Sequence, residues 1–566
     1  MHYFDAWGRQ IAAGDWLSKS VAVPMHGWHV NLATEHLNRH PDQLALLQAQ
    51  AADDPDPDRA RAMARALWTN WSGGKTFYQD PLYPYLIGAT YALFGPDPRW
   101  VFLWQMLAGV FTNVLIFLIA RRCFNPAVAG VSGLFAALCS PVLYYELILV
   151  RESLIAMMSM LLAGLALRVM THPQRRWWLL TGIALGIAIL LKSSFVLLGL
   201  GLTAGLAVMQ WRERRRLMPT LGMLVGGLTL ALSPLVARNL AVGAYPFSLA
   251  SGGINTFIFH NAEDYDARIA TRAEFGGFHV SRHGARIMAE SQGKFVQAAI
   301  ETLKTHTPSS YFKQLGHKLA CVWHWYEIPN NSNYYFYRLY AWILYLPITF
   351  AAIGPLGLAG LLMGIPCWRK AWPLYLLVLC SLFPLLAFYT SSRLRLPFVV
   401  GLIPFAALTI VQVATWIQAA RHLPAVLALG GTLLAATLVG RPLPKGTPRV
   451  RQSDFQVAFD IYYHPRIQRA LEDGELAFAA KEYQNILASM PDHVRQLGPS
   501  RIPTGMAEAT VANYFAHRLS EYAMLLHRAG QTDVAGQFLS RADEIGTALA
   551  LFRKENQCGR DVDGRN

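Results

Sequence analysis

The chain contains long apolar segments of the length that crosses a lipid bilayer. A helix rises 1.5 Å per residue, so about 20 apolar residues span a hydrocarbon core of about 30 Å. Ten segments meet or approach this length: 101–120, 127–145, 153–171, 177–191, 193–211, 217–237, 339–366, 371–390, 396–418 and 423–440. We therefore predict an all-α polytopic membrane protein with about ten visible transmembrane helices.

The composition supports this class of protein. Of 566 residues, 53% are hydrophobic and only 15% are charged, which is unusual for a globular enzyme. The apolar run 177–211 is too long for one helix, because it would extend about 50 Å. We expect a hairpin at Lys192-Ser193-Ser194.

The net charge of +15 is distributed unevenly over the loops. One alternating set of loops holds Arg121, Arg122, Arg175, Arg176, Arg212, Arg214, Arg215, Arg216, Arg369, Lys370 and Arg421. The short loops of the other set hold only Arg151, Lys192, Arg393 and Arg395. Cytoplasmic loops are enriched in Lys and Arg, so the first set is predicted to be cytoplasmic. The basic charge then reflects topology, and we expect no nucleic-acid partner.

Residues 1–100 fall on the outer face in this topology. His2 to Leu17 has the periodicity of an amphipathic helix on the membrane surface. A translocated head of this kind is expected to follow a membrane-crossing helix, so we predict that an upstream span is missing from this sequence. The alternative is an outer N-terminus that is translocated by the span at 101–120.

Two further segments are predicted to be polar and helical. The first is a large outer loop, 238–338, with amphipathic helices within the domain 101–440. The second is a soluble domain, 441–566, which follows a linker at 442–446 and would lie on the outer face. Its segments 470–491 and 525–542 weakly resemble tetratricopeptide units, and a small helical bundle is the alternative. Such a domain would offer a surface for a protein partner.

The segment from Tyr144 to Leu154 lies between two apolar runs and carries Glu146, Arg151 and Glu152. Ionisable groups at a membrane boundary are costly, and they often mark a reaction or transport site. The alternative is that Arg151 pairs with a glutamate and only ends a helix.

The outer face also collects other charged residues. Arg393 and Arg395 lie at the outer end of a span. Their forked guanidinium donors suit a phosphate. The alternative is that both side chains snorkel to lipid head groups. Carboxylates on this face are Asp5, Asp15, Asp80, Glu146, Glu152 and Glu327. Carboxylates that activate an acceptor, beside cations that hold a leaving phosphate, suit sugar transfer from a lipid phosphate.

Several segments, in this order, resemble one known family. They are Phe4-Asp5-Ala6-Trp7, Phe77-Tyr78-Gln79-Asp80-Pro81-Leu82-Tyr83-Pro84, Gly252-Gly253-Ile254-Asn255-Thr256-Phe257 and Arg393-Leu394-Arg395-Leu396-Pro397. Over about residues 1–440 the chain resembles the GT-C superfamily glycosyltransferases of family 39, which include protein mannosyltransferases and aminoarabinose transferases.

This resemblance implies an inverting hexosyl- or pentosyltransferase that uses a polyprenyl-phosphate sugar donor at the periplasmic face of a bacterial inner membrane. It implies two functionally important acids. Glu152 is the best candidate for the second acid and Glu146 is the next, while Asp5 lies near the place expected for the first acid. We predict donor-phosphate binding by Arg393, Arg395, Lys192 and Arg151. We predict substrate binding by Asp80, Tyr83, Asn255 and Glu327.

Two other functions stay open at this point. A transporter or flippase of a lipid-linked or polar substrate would show internal repeats and broken helices with polar residues at mid-membrane. A catalytically inactive scaffold would present the C-terminal helices to a partner. The acceptor is open among protein, lipid, glycan and cell-wall polymer. No spacing specifies metal ligands, although carboxylates can hold a divalent cation.

Overall fold

The computed structural model describes residues 2–19, 27–52, 54, 58–209, 214–265, 281–291, 293–330, 332–441, 458–459, 462–503 and 506–563. The predicted linker 442–446 lies outside these residues. Within them every regular element is a helix, and β pairing is limited to three isolated bridges. The helices form two units, one with residues up to 327 and from 342 to 441, the other with residues 328–341 and from 458 onward.

The first unit contains twenty of the described helices. They are α1 (His2–Ala12), α2 (Gly27–Arg39), α3 (Leu44–Gln50), α4 (Arg59–Trp71), α5 (Leu82–Phe94), α6 (Pro98–Cys123), α7 (Pro126–Ala137), α8 (Ser140–Glu146), α9 (Glu152–Thr171), α10 (Arg175–Leu191), α11 (Phe195–Met209), α12 (Arg214–Val242), α13 (Gly252–Phe259), α14 (Arg282–Ser291), α15 (Phe295–Lys304), α16 (Pro308–Val322), α18 (Phe350–Met363), α19 (Trp368–Ala387), α20 (Ser392–Gln418) and α21 (His422–Val439). The helix α17 (Tyr334–Arg338) belongs to the second unit.

Six of the described helices are long and apolar enough to cross a membrane, namely α6, α9, α12, α19, α20 and α21. Shorter apolar helices include α5, α7, α11 and α18. The predicted all-α polytopic membrane class is confirmed. The break at 192–194 is also as predicted, because α10 ends at Leu191 and α11 begins at Phe195.

Two predicted spans differ from single helices. The segment 127–145 is divided into α7 and α8, and the segment 339–366 has only a short 3₁₀ helix, Trp342–Tyr345, before α18 begins at Phe350. A proline lies at each interruption, Pro141 and Pro347. Proline removes an N–H donor and obstructs the preceding turn. At the first break the Ser140 N–H donates instead to the Ile348 carbonyl, at 3.1 Å.

The helix α20 is the most completely buried of the six long helices. It packs against α7, α9, α18 and α19. Its first turn carries Arg393 and Arg395, so both arginines start inside the helical assembly rather than on its surface. This position decides which partners they reach.

The predicted outer segments contribute to one hydrophobic cluster. Trp68 and Trp71 of α4 pack with Ile258 and Phe259 at the C-terminal end of α13. Met288 of α14 belongs to the same cluster. The first hundred residues and the loop 238–338 therefore share a core. This core surrounds the N-terminal turn of α13, whose Gly252 N–H donates to the Tyr78 carbonyl at 2.8 Å.

The second unit has its own core. Its C-terminal helices are α22 (His464–Glu472), α23 (Leu476–Ala488), α24 (Asp492–Arg495), α25 (Met506–Arg528) and α26 (Thr532–Asp563). Two hairpins turn at Gly474 and Gly530, whose φ angles of 75° and 80° favour glycine. These hairpins lie where the tetratricopeptide-like segments were predicted.

The helix α17 comes from the end of the outer loop, yet it completes the core of the C-terminal unit. Phe336 is fully buried and its ring contacts Phe459, Tyr462 and Tyr463. Asn333 caps the helix by accepting from the Phe336 N–H. One hydrophobic core cannot extend through a bilayer, so α17 and the C-terminal helices share one side of the membrane.

We predict that Phe336→Ala destabilises the C-terminal unit by about 3–5 kcal/mol, because a large buried ring is replaced by a cavity. Hydrogen exchange of the helices α25 and α26 should then accelerate. Leu339→Ala is the matched control, because Leu339 is exposed in the same segment. Unchanged exchange in Phe336→Ala would contradict the shared core.

Candidate active site

The segment between α8 and α9 lies inside the protein. It bends irregularly from Leu147 to Arg151, and Ile148, Leu149 and Val150 are buried. Glu152 is the first residue of α9, where the partial positive charge of a helix N-terminus favours a carboxylate. We call residues 147–151 the junction.

Arg151 at the end of the junction forms a buried ion pair with Asp80. Its Nη1 lies 2.7 Å from the Asp80 carboxylate, and the two side chains are 7% and 8% exposed. Arg151 also donates to the Leu191 carbonyl and to Gln79, while Asp80 accepts from the Ser193 N–H at 3.0 Å. Arg151 therefore pairs with an aspartate rather than a glutamate, and the pair joins three separate segments.

Glu152 forms a second ion pair, with Arg393. The Arg393 Nε lies 2.9 Å from Glu152 Oε1, and the side chains are 17% and 2% exposed respectively. The contact does not have hydrogen-bond geometry, and Glu152 Oε2 has no hydrogen-bond partner among the described residues. One carboxylate oxygen is thus available to accept a hydrogen bond from a substrate.

Lys192 completes the group. It interacts electrostatically with Arg151, Glu152, Arg393 and Asp80, and it is 9% exposed. Burial, together with the two nearby guanidinium groups, lowers the pKa of the Lys192 ammonium below its usual value. Its ammonium has no hydrogen-bond partner among the residues that the structure describes. We call these five residues the charged cluster.

The charged cluster has an excess of positive charge. Arg151, Lys192 and Arg393 provide three cations, and the two carboxylates of Asp80 and Glu152 balance only two of them. Lys192 lines a narrow crevice with a volume of about 30 Å³. The crevice is bounded by α9, α11, α19 and α20, and its lining combines apolar side chains such as Phe195 and Leu377 with Ser159, Ser194 and Ser381. A cation therefore lies in the wall of a crevice that has more apolar than polar surface.

Arg395 is placed differently from Arg393. It is fully buried, and its two Nη atoms donate to the carbonyls of Val322, His324 and Tyr326 and to the Glu327 carboxylate, at 2.6–3.1 Å. Its guanidinium also lies 4.0 Å from the centre of the Phe350 ring. Arg395 and Glu327 thus hold the end of the outer loop. The predicted roles of Arg395 in donor-phosphate binding and of Glu327 in substrate binding stay predictions, and this geometry favours Arg393 for a phosphate.

Glu146 lies apart from the charged cluster. Its carboxylate packs against α6, where a Cβ added to Gly109 would be 2.0 Å from Glu146 Oε1. Burial raises the pKa of the Glu146 carboxyl, and no neighbouring charge contributes to this shift. Its predicted catalytic role stays a prediction without a contact to Glu152 or Arg393.

Asp5 also points elsewhere. Its carboxylate accepts from Tyr91 at 2.5 Å and from Arg9 at 2.9 Å. The neighbouring residue Phe4 approaches the charged cluster instead, with its ring centre 6.0 Å from the Arg151 guanidinium carbon. The structure therefore does not bring Asp5 together with Glu152.

The two remaining predicted residues lie near the same segments. Tyr83 is fully buried, its ring contacts Phe4, and its hydroxyl donates to Gln105 at 2.6 Å. Asn255 on α13 is also fully buried, and neither polar atom of its side chain has a hydrogen-bond partner among the described residues. An amide of this kind suits a ligand hydroxyl.

Gln105 was missed by the sequence analysis. It is a fully buried amide in the transmembrane helix α6. An isolated strongly polar side chain in an apolar run is a signal of a buried contact, and it could have been recognised. Averaged hydropathy conceals it, because one amide scarcely changes the mean of a window.

Metal ligands are not gathered at the junction. Among the residues that the structure describes, no three His, Cys, Asp or Glu side chains are close enough together to hold a metal ion. Asp80 and Glu152 each face an arginine instead. The residues that the structure describes therefore provide no ligand set for the divalent cation that was considered in the sequence analysis.

We predict that Asp80→Asn lowers the stability of the protein by about 3–5 kcal/mol, because Arg151 would remain buried without its counter-charge. Asp80→Asn combined with Arg151→Met should recover much of this loss. Thermal unfolding of the full chain in detergent measures both. The matched control is Asp97→Asn, whose ion pair with Arg99 is at the surface and should contribute nothing measurable. Equal unfolding temperatures for Asp80→Asn and Asp97→Asn would contradict a stabilising buried pair.

Comparisons with known proteins were made against sequences and structures. No curated protein matches the chain. Two solved structures of ArnT from Cupriavidus metallidurans are similar to it. The apo structure has 16% identity over 71% of this chain and 77% of that chain, with a TM-score of 0.23. The structure bound to undecaprenyl phosphate has 22% identity over 61% and 70%, with a TM-score of 0.21.

TM-scores this low do not establish a common arrangement of helices. The sequence of residues 79–237, however, matches the family described as dolichyl-phosphate-mannose-protein mannosyltransferase. This segment includes Asp80, Arg151, Glu152 and Lys192, four of the five residues of the charged cluster. This match over residues 79–237 agrees with the predicted resemblance to GT-C glycosyltransferases.

Proposed function

We propose that the protein is a membrane glycosyltransferase that transfers a sugar from a polyprenyl-phosphate donor to an acceptor at the charged cluster, with inversion. The family match over residues 79–237 supports the reaction class. The description of that family names dolichyl-phosphate-mannose, a sugar on a polyprenyl phosphate, and this supports a donor of this chemistry. The distribution of Lys and Arg over the loops supports a reaction at the periplasmic face of a bacterial inner membrane.

The observation that carries this proposal is the unbalanced cation in the wall of a mostly apolar crevice. A polyprenyl phosphate has an anionic head and a long apolar chain. Lys192 and Arg393 would contact the phosphate, and the crevice between α9, α11, α19 and α20 would accept the first isoprene units. The crevice is narrow, so side chains along it would move when the lipid enters.

Glu152 is the group that we assign as general base. In an inverting transfer, an acceptor hydroxyl attacks the anomeric carbon on the side opposite the phosphate. The base takes the hydroxyl proton while the bond from the anomeric carbon to the phosphate oxygen breaks. The unpartnered Oε2 of Glu152 is suited to this proton, whereas Asp5 is engaged by Tyr91 and Arg9.

Arg393 links donor binding to the base. Without a donor it contacts Glu152 at 2.9 Å. A bound phosphate would attract the same guanidinium and so weaken its ion pair with Glu152. With less positive charge beside it, the Glu152 carboxylate would be a better proton acceptor. Lys192 and Arg393 would then stabilise the departing phosphate. Arg151 would stay with Asp80 and fix the junction.

We predict that Glu152→Gln lowers the kcat for sugar transfer by about 10²–10⁴-fold, because general-base help is lost. The assay is transfer from a labelled polyprenyl-phosphate sugar into envelope material. Glu301→Gln is the matched control, because Glu301 is an exposed carboxylate paired with Lys304 on α15. A larger loss in Glu146→Gln than in Glu152→Gln would contradict the assignment of the base.

We also predict a pH dependence of donor binding that originates from Lys192. Because its pKa is lowered, the Lys192 ammonium loses its proton at a lower pH than the ammonium of an ordinary lysine. The affinity for the polyprenyl phosphate is therefore full below this pKa, and it falls as the pH rises through it. Titration with polyprenyl phosphate above about pH 7, where the phosphate is already doubly charged, isolates this effect. Lys192→Arg should bind with little change over the same range. An identical decrease in wild type and Lys192→Arg would contradict the role of Lys192.

A further inference from the structure

We propose that Gln105 of α6 is a positioning residue that holds the junction, and thereby Glu152, in its reactive place. This inference rests on the proposed function for its catalytic consequence. Nothing in the family match or in the outer-face charge pattern assigns Gln105 a role.

Every hydrogen-bonding group of the Gln105 side chain contacts the site region. Its Nε2 donates to the Glu146 carbonyl at 3.0 Å and to the Ile148 carbonyl at 2.9 Å. Its Oε1 accepts from the Tyr83 hydroxyl at 2.6 Å. The amide therefore donates to the main chain at the end of α8 and at the start of the junction, and Tyr83 orients it from the other side.

The junction requires such donors because its backbone is not helical. Buried backbone polar groups are almost always paired, so a buried irregular segment needs donors from elsewhere in the protein. A buried carbonyl without a donor costs about 1–3 kcal/mol. Gln105 supplies the hydrogen bond that the helix would otherwise give to the Glu146 carbonyl.

The next turn of α6 provides space for the same segment. Gly109 follows Gln105 by four residues and lies against the Glu146 carboxylate, where a Cβ would overlap it. Residues four apart share a helix face, so Gln105 and Gly109 form one continuous contact surface. This surface fixes both the main chain and the side chain of Glu146.

The other end of the junction is fixed by a different contact. Arg151 is held by Asp80, and Glu152 is the next residue. Gln105 at one end and Asp80 at the other therefore determine the position of the first turn of α9. Small errors in the placement of a catalytic group are costly, because about 1 Å can reduce a rate by about 10²-fold.

Glutamine is the residue type that this arrangement needs. Glutamate has the same length but offers no N–H donors, and methionine has a similar shape without strong donors or acceptors. Gln105→Glu and Gln105→Met should therefore both release the junction. Tyr83→Phe keeps both donors and removes only the bond that orients them, so its effect should be smaller.

The test compares kcat and the KM for the lipid donor. In Gln105→Glu and Gln105→Met we expect kcat to fall by about 10²-fold, while the KM for the donor changes by less than about threefold because Lys192 and Arg393 are untouched. The matched control is Thr112→Val on the same helix. Thr112 is buried, and its hydroxyl donates only within α6, to the Ala108 carbonyl.

A second measurement does not depend on activity. Hydrogen exchange of a peptide covering residues 144–154 should be faster in Gln105→Glu and Gln105→Met than in wild type and Thr112→Val. If the wild type transfers no sugar, the proposed function fails, and this measurement still decides whether Gln105 holds the junction. If the Gln105 variants do not fold, Tyr83→Phe provides the same comparison with a smaller expected change.

Three results would overturn the inference. One is a kcat within about threefold of wild type in both Gln105 variants. Another is an equal loss of kcat in Thr112→Val. The third is unchanged hydrogen exchange of residues 144–154 in every folded variant of Gln105 and Tyr83.

Discussion

Two buried ion pairs, Asp80 with Arg151 and Glu152 with Arg393, are the interactions on which the functional face depends. Burying a charge is costly, and it is tolerated only where a counter-charge and hydrogen bonds accompany it. These pairs therefore force the segment before α5, the junction, the hairpin at 192–194 and the first turn of α20 to meet. The same requirement leaves Lys192 without a carboxylate of its own, and this imbalance is what makes the cluster suited to an anionic head group.

Proline and irregular backbone shape the region around this cluster. Pro141 and Pro347 interrupt apolar segments that are otherwise long enough to span a membrane. The resulting short helix α8 and the junction expose carbonyls that no helix satisfies, and Gln105 of α6 donates to two of them. Broken helices at membrane depth are also typical of transporters. Here, however, the break leads directly to the ion-paired Arg151 and Glu152, in a segment whose sequence matches a glycosyltransferase family.

The fold class and the grouping of several outer-face charges could be predicted from the sequence, because hydropathy reports burial in lipid and outer-face charges stand out against it. The hairpin at Lys192 followed from these signals, whereas the catalytic role of Glu152 was implied by the family resemblance and stays a prediction. The contrast between Arg393 and Arg395 did not. Residues two apart on a helix point about 200° apart, so one reaches Glu152 and the other reaches Glu327. Spacing alone does not say which direction faces the site. The partner of Asp5 could not be predicted either, because Tyr91 lies on α5, far from Asp5 in the sequence.

The most direct test of donor binding at the charged cluster is an experimental structure of the full chain with a polyprenyl phosphate bound. We expect the phosphate within hydrogen-bonding distance of Lys192 and Arg393, the first isoprene units between α9, α11, α19 and α20, and Arg151 still paired with Asp80. A phosphate held at Arg395, or at the basic loops predicted to be cytoplasmic, would contradict donor binding at this cluster.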